Sequence, residues 1–410
     1  MKIVANVRGI TKEFCFSSED FDSTPANCLN PAMTLTALLA SSLYFHFPFC
    51  ETKCHYCDFY SLGREKTKST DPDLFERALN REIELRAEQG SFELPIETIF
   101  FGGGTPSMTP PDSMKRITDR LFQSARLAEN YEWTMEANPS SINAENFRAY
   151  RELGLNRVSM GVQSLKNEHL SKLGRVHDEG QALQALETVF KAGFENVSTD
   201  LLCGVPGQTL ADLESHLNQL TGFPIQHLSI YLLTLAPRHA MFKDLPDEDE
   251  QLAHLLFIDA FMKQKGFDHY EISNFAKPGK QARHNLVYWT GGSYLSFGPS
   301  AHSFSKENQM RLKNTSSLHQ YASTLIDKNT LPVEWTESLT PNQLELEKWM
   351  LAIRLNRGFP ASWLRTEAQQ KKARLFIEKG LLEPHPKTPD HLRATARGFA
   401  MSDALTKELA

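Results

Sequence analysis

Three cysteines crowd into eight residues, as Cys50-Glu-Thr-Lys-Cys54-His-Tyr-Cys57. Thiolates at this density are ligands for a soft metal, either zinc or an iron–sulfur cluster. A structural zinc ion wants four protein donors, and His46 or His55 could be the fourth. A cubane cluster held by three thiolates leaves one iron open to a small molecule. The spacing alone leaves both chemistries standing. The other cysteines carry less. Cys203, between Leu202 and Gly204, reads as a small buried hydrophobe. Cys15 and Cys28 lie in an unpatterned stretch and are assigned nothing. The N-terminus lacks the basic-then-apolar pattern of a secretory leader. Six cysteines in 410 residues therefore do not read as a disulfide framework.

The elements that must position the cysteines alternate. Strand-like runs fall at Leu43–Phe47, Thr98–Phe101, Tyr131–Ala137, Arg157–Val162, Val197–Leu202 and His227–Leu233. Amphipathic helical stretches lie between them, several behind start signals: Asp71-Pro72, Thr109-Pro110, Asn143 and Thr209. Strand–helix alternation predicts parallel βαβ units. Six units are too few for a closed eight-unit barrel, so the fold class is α/β, a partial (β/α)6 TIM-like barrel. From about residue 266 the alternation stops. Helices near 341–356 and 363–379, then a hairpin of Gly380–Glu383 with His391–Thr395, predict a C-terminal winged-helix-like domain. The expected division is an N-terminal extension at 1–42, the barrel at 43–265, a connecting region at 266–335 and the C-terminal domain at 336–410. Met33, just before the first strand, could be the start of the ordered chain.

Composition narrows the function. With 44 Lys+Arg against 50 Asp+Glu, the net charge of −6 argues against a nucleic-acid binder that works by phosphate neutralisation. No apolar run is long enough to span a bilayer. The expected location is the cytoplasm.

In a parallel α/β barrel, ligand groups gather at the C-terminal strand ends. The first strand runs into the cysteine loop. The second ends in Phe101-Gly102-Gly103-Gly104-Thr105-Pro106, where glycines let backbone approach a ligand and expose N–H donors. Glu136-Ala-Asn-Pro139 ends the third, Gly161-Val-Gln163 the fourth, Gly174-Arg175 follows in a loop, and Asp200 lies in the fifth. These rim elements would form one mouth facing the cysteines.

Together, Tyr44-Phe-His-Phe-Pro-Phe-Cys50, the CxxxCxxC loop, Gly102–Pro106, Glu136–Pro139 and Gly161–Ser164 resemble the radical S-adenosylmethionine enzymes. More narrowly they resemble the branch holding oxygen-independent coproporphyrinogen III dehydrogenase and the HemW-type heme chaperones, over about residues 43–405. The resemblance implies that Cys50, Cys54 and Cys57 hold a [4Fe–4S] cluster whose open iron takes S-adenosylmethionine. It implies that Tyr44, Tyr56, the Gly103–Gly104–Thr105 backbone, Glu136, Gln163, Arg175 and Asp200 bind that cofactor. Glu136 and Asp200 can accept from ribose hydroxyls or an ammonium, Arg175 can hold a carboxylate, and Tyr56 could pack beside the adenine.

Two features separate the branches. The dehydrogenase branch carries a further cysteine two residues after the third ligand; here that residue is Phe59. The chain also contains His284-Asn285-Leu286-Val287-Tyr288-Trp289, similar to the HNxxYW heme motif of the HemW type. An imidazole is a good axial ligand for heme iron, and aromatic faces suit a porphyrin. Arg283 could reach a propionate. The resemblance thus implies that His284, Asn285, Tyr288 and Trp289 bind heme for delivery to an acceptor hemoprotein, with respiratory clients, membrane contact through a client and dimerisation as family traits. From residue types alone the segment also reads as a hydrogen-bonded loop histidine with core aromatics. Two alternatives differ in kind: oxidative decarboxylation of coproporphyrinogen III, and a zinc-stabilised scaffold with no S-adenosylmethionine affinity.

Overall fold

The computed structural model describes residues 37–410. Cys15, Cys28, Met33 and most of the expected N-terminal extension lie outside the described residues. The barrel is built as β1 (Ser42–Phe47), α1 (Asp71–Glu88), β2 (Ile96–Gly103), α2 (Pro111–Phe122), β3 (Leu127–Ala137), α3 (Ala144–Glu152), β4 (Arg157–Gln163), α4 (Asn167–Lys172), α5 (Glu179–Lys191), β5 (Asn196–Cys203), α6 (Leu210–Thr221), β6 (His227–Leu232) and α7 (Glu248–Gln264). Neighbours β1 to β6 pair in parallel throughout. The start signals act locally. The Asn143 side chain accepts from the N–H groups of Glu145 at 2.9 Å and Asn146 at 3.1 Å, and Thr209 forms a reciprocal cap with Asp212.

Residue alternation along each strand sends one face outward. Leu43, Phe45 and Phe47 of β1 are fully buried against α1 residues such as Phe75, Leu79 and Ile83. The alternate residues turn into the barrel, and many are polar: Thr98, Glu132, Glu136, Arg157, Asp200, His227 and Ser229.

Beyond α7 the sheet continues, where no alternation is visible in the sequence. β7 (Asp268–Glu271) and β8 (Asn274–Ala276) add antiparallel beside β6. After α8 (Arg283–Trp289), β9 (Leu295–Phe297) adds parallel to β1, giving nine strands in the order β7-β8-β6-β5-β4-β3-β2-β1-β9. Strands this short carry too little periodicity to announce themselves. A second sheet of β10 (His302–Ser305), β11 (Met310–Asn314) and β12 (Val333–Ser338), with α9 (Leu318–Ile326), is tied to the barrel through Glu82. That fully buried carboxyl accepts from Gly298 N–H at 2.9 Å, Asn314 Nδ2 at 2.8 Å and the Tyr321 hydroxyl at 2.7 Å.

The C-terminal unit holds α10 (Pro341–Ile353), β13 (Phe359–Pro360), α11 (Glu367–Glu378), β14 (Leu382–Pro384), β15 (His391–Ala394), α12 (Ala396–Ala400) and α13 (Ser402–Leu409). The expected hairpin is present as β14 against β15, with β13 on the other edge. Its own core gathers Trp349, Ile353, Phe359, Leu405 and Leu409. Two backbone bonds couple it to β7: Ile272 N–H to Arg354 O at 3.0 Å, and Asn356 N–H to Tyr270 O at 2.9 Å. The architecture is a partial TIM-like barrel with a winged-helix-like appendage.

Candidate functional site at the barrel mouth

The loop after β1 is stitched at both ends. Cys50 N–H donates to Leu62 O at 2.9 Å and Leu62 N–H to Pro48 O at 2.7 Å. All three loop cysteines are free thiols and partly exposed. Burial pushes the Cys50 thiol up and the Cys57 thiol to about 11, and the neighbouring cysteines add to both shifts. Three thiols on one short loop are soft donors that a metal group would take as thiolates, which makes them a fit for one. Among the described residues no three His, Cys, Asp or Glu side chains stand close enough to hold one metal ion.

The glycine run does something other than the expected exposure of donors. Gly104 N–H donates to Phe47 O and Thr105 N–H to Phe49 O, both at 2.7 Å, while Gly103 N–H donates to Glu136 Oε2 at 3.0 Å. Those three donors are spent within the chain and brace the cysteine loop from below. The close approach is real but internal: a Cβ on Gly104 would lie 2.6 Å from Phe49 O, and Gly103 has φ +107°.

One polar network then reaches two of the cysteines. The Thr105 hydroxyl donates to Cys50 Sγ at 3.7 Å and accepts from Asn138 Nδ2 at 2.9 Å. Asn138 Oδ1 accepts from Arg175 Nη2 at 2.7 Å, and Arg175 Nη1 donates to Cys54 Sγ at 3.4 Å. Arg175 also donates to Gly161 O at 2.7 Å, which leaves only Nε without a partner. Its charge therefore stands beside thiol sulfur, and Tyr56 shares that environment. Asn138 sits inside the quoted Glu136–Pro139 stretch, yet its bridging role becomes visible only in three dimensions.

Below the thiols the interior is acidic. Burial, then the Asp200 charge, raises Glu136 to about 8. Burial also raises Asp200, which accepts from the Ser159 hydroxyl at 3.2 Å and lies beside Ser229. Two buried carboxyls that resist ionisation suit a cationic or donor-rich ligand. Gln163 ends β4 at φ +67°, a strained conformation for a residue with a side chain. The Tyr44 hydroxyl bonds His46 Nδ1 at 3.1 Å. Tyr56 packs against Leu173, Leu202 and Leu233. Tyr231, not anticipated from sequence, faces Asp200, Glu271 and Glu136; burial of its hydroxyl, and after it these charges, raises its phenol.

The HNxxYW segment lies elsewhere. His284 is 1% exposed, and both ring nitrogens are engaged: Nδ1 with the Thr98 hydroxyl and Nε2 with the Tyr288 hydroxyl, each at 2.7 Å. Glu132 accepts from the N–H groups of Arg283 at 3.2 Å and His284 at 3.1 Å. Phe100 stacks on the imidazole, and burial lowers its pKa to about 3. Trp289 is buried against Leu351 and Leu355, and Asn285 is half-buried. Thr98 starts the inward face of β2 and Gly103 ends that strand, a separation of about 16 Å at strand rise. The structure thus sets the cysteines, Asn138 and Arg175 at the mouth and His284 deeper in the barrel, with Phe100 stacked between His284 and Tyr44 and with Tyr288 facing Tyr44 and Glu136.

Comparison with known proteins gives the family and the fold. The Radical SAM superfamily matches residues 44–220. Over 375 residues the chain is 34% identical to the "Heme chaperone HemW" of Mycobacterium tuberculosis, covering 90% of this chain and 94% of that one. The chain belongs to the HemW-type branch of the radical SAM superfamily. HemW of Bacillus subtilis is 33% identical over 77% of this chain and 84% of its own, and HemW of Escherichia coli is 37% identical over 64% and 69%. The coproporphyrinogen III oxidase (HemN) of Escherichia coli shares the fold, with a TM-score of 0.76 over 91% of this chain and 90% of its own at 22% identity. Among the described residues no helix is long and apolar enough to cross a membrane.

Proposed function

We propose that this protein is a cytoplasmic heme chaperone. It would hold a [4Fe–4S] cluster on Cys50, Cys54 and Cys57, bind S-adenosylmethionine across the barrel mouth and pass heme to an acceptor hemoprotein. The observation that carries the reading is the network from Thr105 through Asn138 to Arg175, which ends on the thiols of Cys50 and Cys54. When bound, the reduced cluster supplies the electron that breaks a carbon–sulfur bond of the sulfonium. The chain's own residues do the positioning. Glu136 and Asp200 offer acceptors to the ammonium or ribose hydroxyls. Gln163 and Tyr44 border the same space. The packed Tyr56 and the braced glycine run shut water from the loop's inner side.

Heme belongs to the reading through the relatives' names and the HNxxYW segment. His284, Asn285, Tyr288 and Trp289 would hold it there, but neither His284 nitrogen is free while Thr98 and Tyr288 keep their bonds. Contact with a membrane through a client, and self-association, belong to the same proposal. S-adenosylmethionine binding to anaerobically reconstituted protein tests the mouth. Asp200→Asn is expected to weaken binding by about tenfold or more while the cluster absorbance stays intact. Undiminished binding in both Asp200→Asn and Glu136→Gln would overturn the assignment of the mouth.

A further inference from the structure

We propose that Arg157, at the inner start of β4, anchors a carboxylate of the carried ligand: a heme propionate, when the porphyrin sits at the HNxxYW helix. The inference rests on the reading that this chain carries heme, and it names a residue outside the motif. Three observations carry it.

The first is a buried cation without an anion. Along β4, Val158, Met160 and Val162 pack into the outer core, so Arg157 and Ser159 turn into the barrel. Arg157 is 2% exposed, and a guanidinium stays charged at any ordinary pH. Among the described residues no carboxylate pairs with it, and its buried Nε has no hydrogen-bond partner. The carboxyls at this end serve other donors. Glu132 accepts from the N–H groups of Arg283 and His284, and Asp200 accepts from the Ser159 hydroxyl. A charge buried without its counter-ion is costly, and the planar fork of an arginine matches a carboxylate.

The second is a further donor beside it. Thr134 on β3 is the register partner of Arg157 and lies on the same face of the sheet. It is fully buried, and its hydroxyl has no partner. A carboxylate on Arg157 would find a hydroxyl donor next to the guanidinium.

The third is place. Arg157 faces the motif: burial, then the Arg157 charge, lowers the His284 imidazole. The same two causes lower His227, whose Nε2 bonds the Tyr270 hydroxyl at 2.8 Å. Burial pushes Tyr270 and Asp200 up, and the Arg157 charge partly offsets that push on both. An iron porphyrin on His284, once Tyr288 yields Nε2, brings two propionates into this interior. Glu136, Asp200 and Glu271 repel them when ionised, and Arg157 attracts them. Arg283, adjacent to His284 in the chain, is turned elsewhere: it donates to Asn130 O and lies 3.7 Å from Glu97 Oε2.

Titration of the anaerobically reconstituted protein with hemin and with its dimethyl ester, whose propionates are capped, tests the proposal. The iron–sulfur absorbance is followed in every sample. Arg157→Gln is expected to weaken hemin by about tenfold or more and to leave the ester unchanged. On the wild type alone, the ester is expected to bind about tenfold more weakly than hemin, a comparison that does not depend on the variant folding. Equal affinity of the wild type for hemin and ester would overturn the anchor and leave the chaperone reading standing. Equal loss of both ligands in Arg157→Gln would make Arg157 a structural residue and overturn it too. S-adenosylmethionine carries the other carboxylate of the reading, and its affinity is expected to be unchanged in Arg157→Gln. Loss of that affinity with hemin binding intact would give Arg157 to the cofactor. If the wild type took up neither porphyrin stoichiometrically, the chaperone reading itself would fail.

Discussion

The two ends of this barrel use similar side chains to opposite effect. At the floor, His284, Thr98, Tyr288 and Glu132 satisfy one another in bonds of 2.7–3.1 Å. At the mouth, three free thiols gather, Glu136 and Asp200 sit buried with raised pKa values, and Gln163 is held in a strained conformation. Polar groups that close on themselves stabilise a fold, whereas polar groups left in tension await a ligand. A histidine is therefore informative only with its partners. His284 carries the family motif and is fully bonded.

The sharpest way to break the contrast is at the thiols. Replacing Cys50, Cys54 or Cys57 by Ala is expected to abolish the iron–sulfur absorbance entirely, and retention of the full absorbance after any one change would sink the cluster assignment. Next in size is the floor. His284→Ala strands two buried hydroxyls and opens space beside Phe100, so a loss of about 2–4 kcal/mol is expected in denaturant unfolding of the apo-protein. His55→Ala, at the exposed rim, is expected to be near-neutral in the same measurement. Equal effects would erase the distinction between the ends.

A pH series separates them further. Burial, with Asp200 adding, raises Glu136 to about 8, and burial raises Glu271 to about 8. Each then keeps a proton in the folded chain that the unfolded chain releases at about pH 4.3. Buried histidines such as His46, His177 and His284, whose pKa values burial lowers, act the other way and make stability rise up to about pH 6.5. Above that pH they are neutral in both states, so the carboxyl effect stands alone and apo-protein stability falls as pH rises toward about 8. Thermal melts between about pH 6.5 and 8 should show the decline, and Glu271→Gln should flatten part of it. A rise across that window would contradict the buried-carboxyl picture. The smallest effect belongs to Tyr288→Phe, which removes one hydroxyl and keeps the ring. A loss of about 1 kcal/mol is expected, and heme uptake through His284 should increase if that hydroxyl is what masks Nε2.

The parallel strands are legible in sequence because apolar runs alternate with helices behind recognisable caps such as Asn143 and Thr209. The cysteine loop is legible because its ligands are local. What the sequence hides is non-local. The Thr98 and Glu132 partners of His284 lie 186 and 152 residues away in the chain. Nothing in Gly102–Thr105 reveals that the donors of its last three residues are consumed by Phe47, Phe49 and Glu136. β8 and β9, at three residues each, are too short to show a period.

Under the proposed function the protein carries heme and does not convert a porphyrinogen. The most direct measurement adds heme to the reconstituted protein and assays coproporphyrinogen III turnover on the same sample. Stoichiometric heme uptake with the cluster intact and no turnover is the expected result. Turnover to protoporphyrinogen with no specific heme uptake would contradict it, and would mean that Phe59 does not mark the chaperone branch.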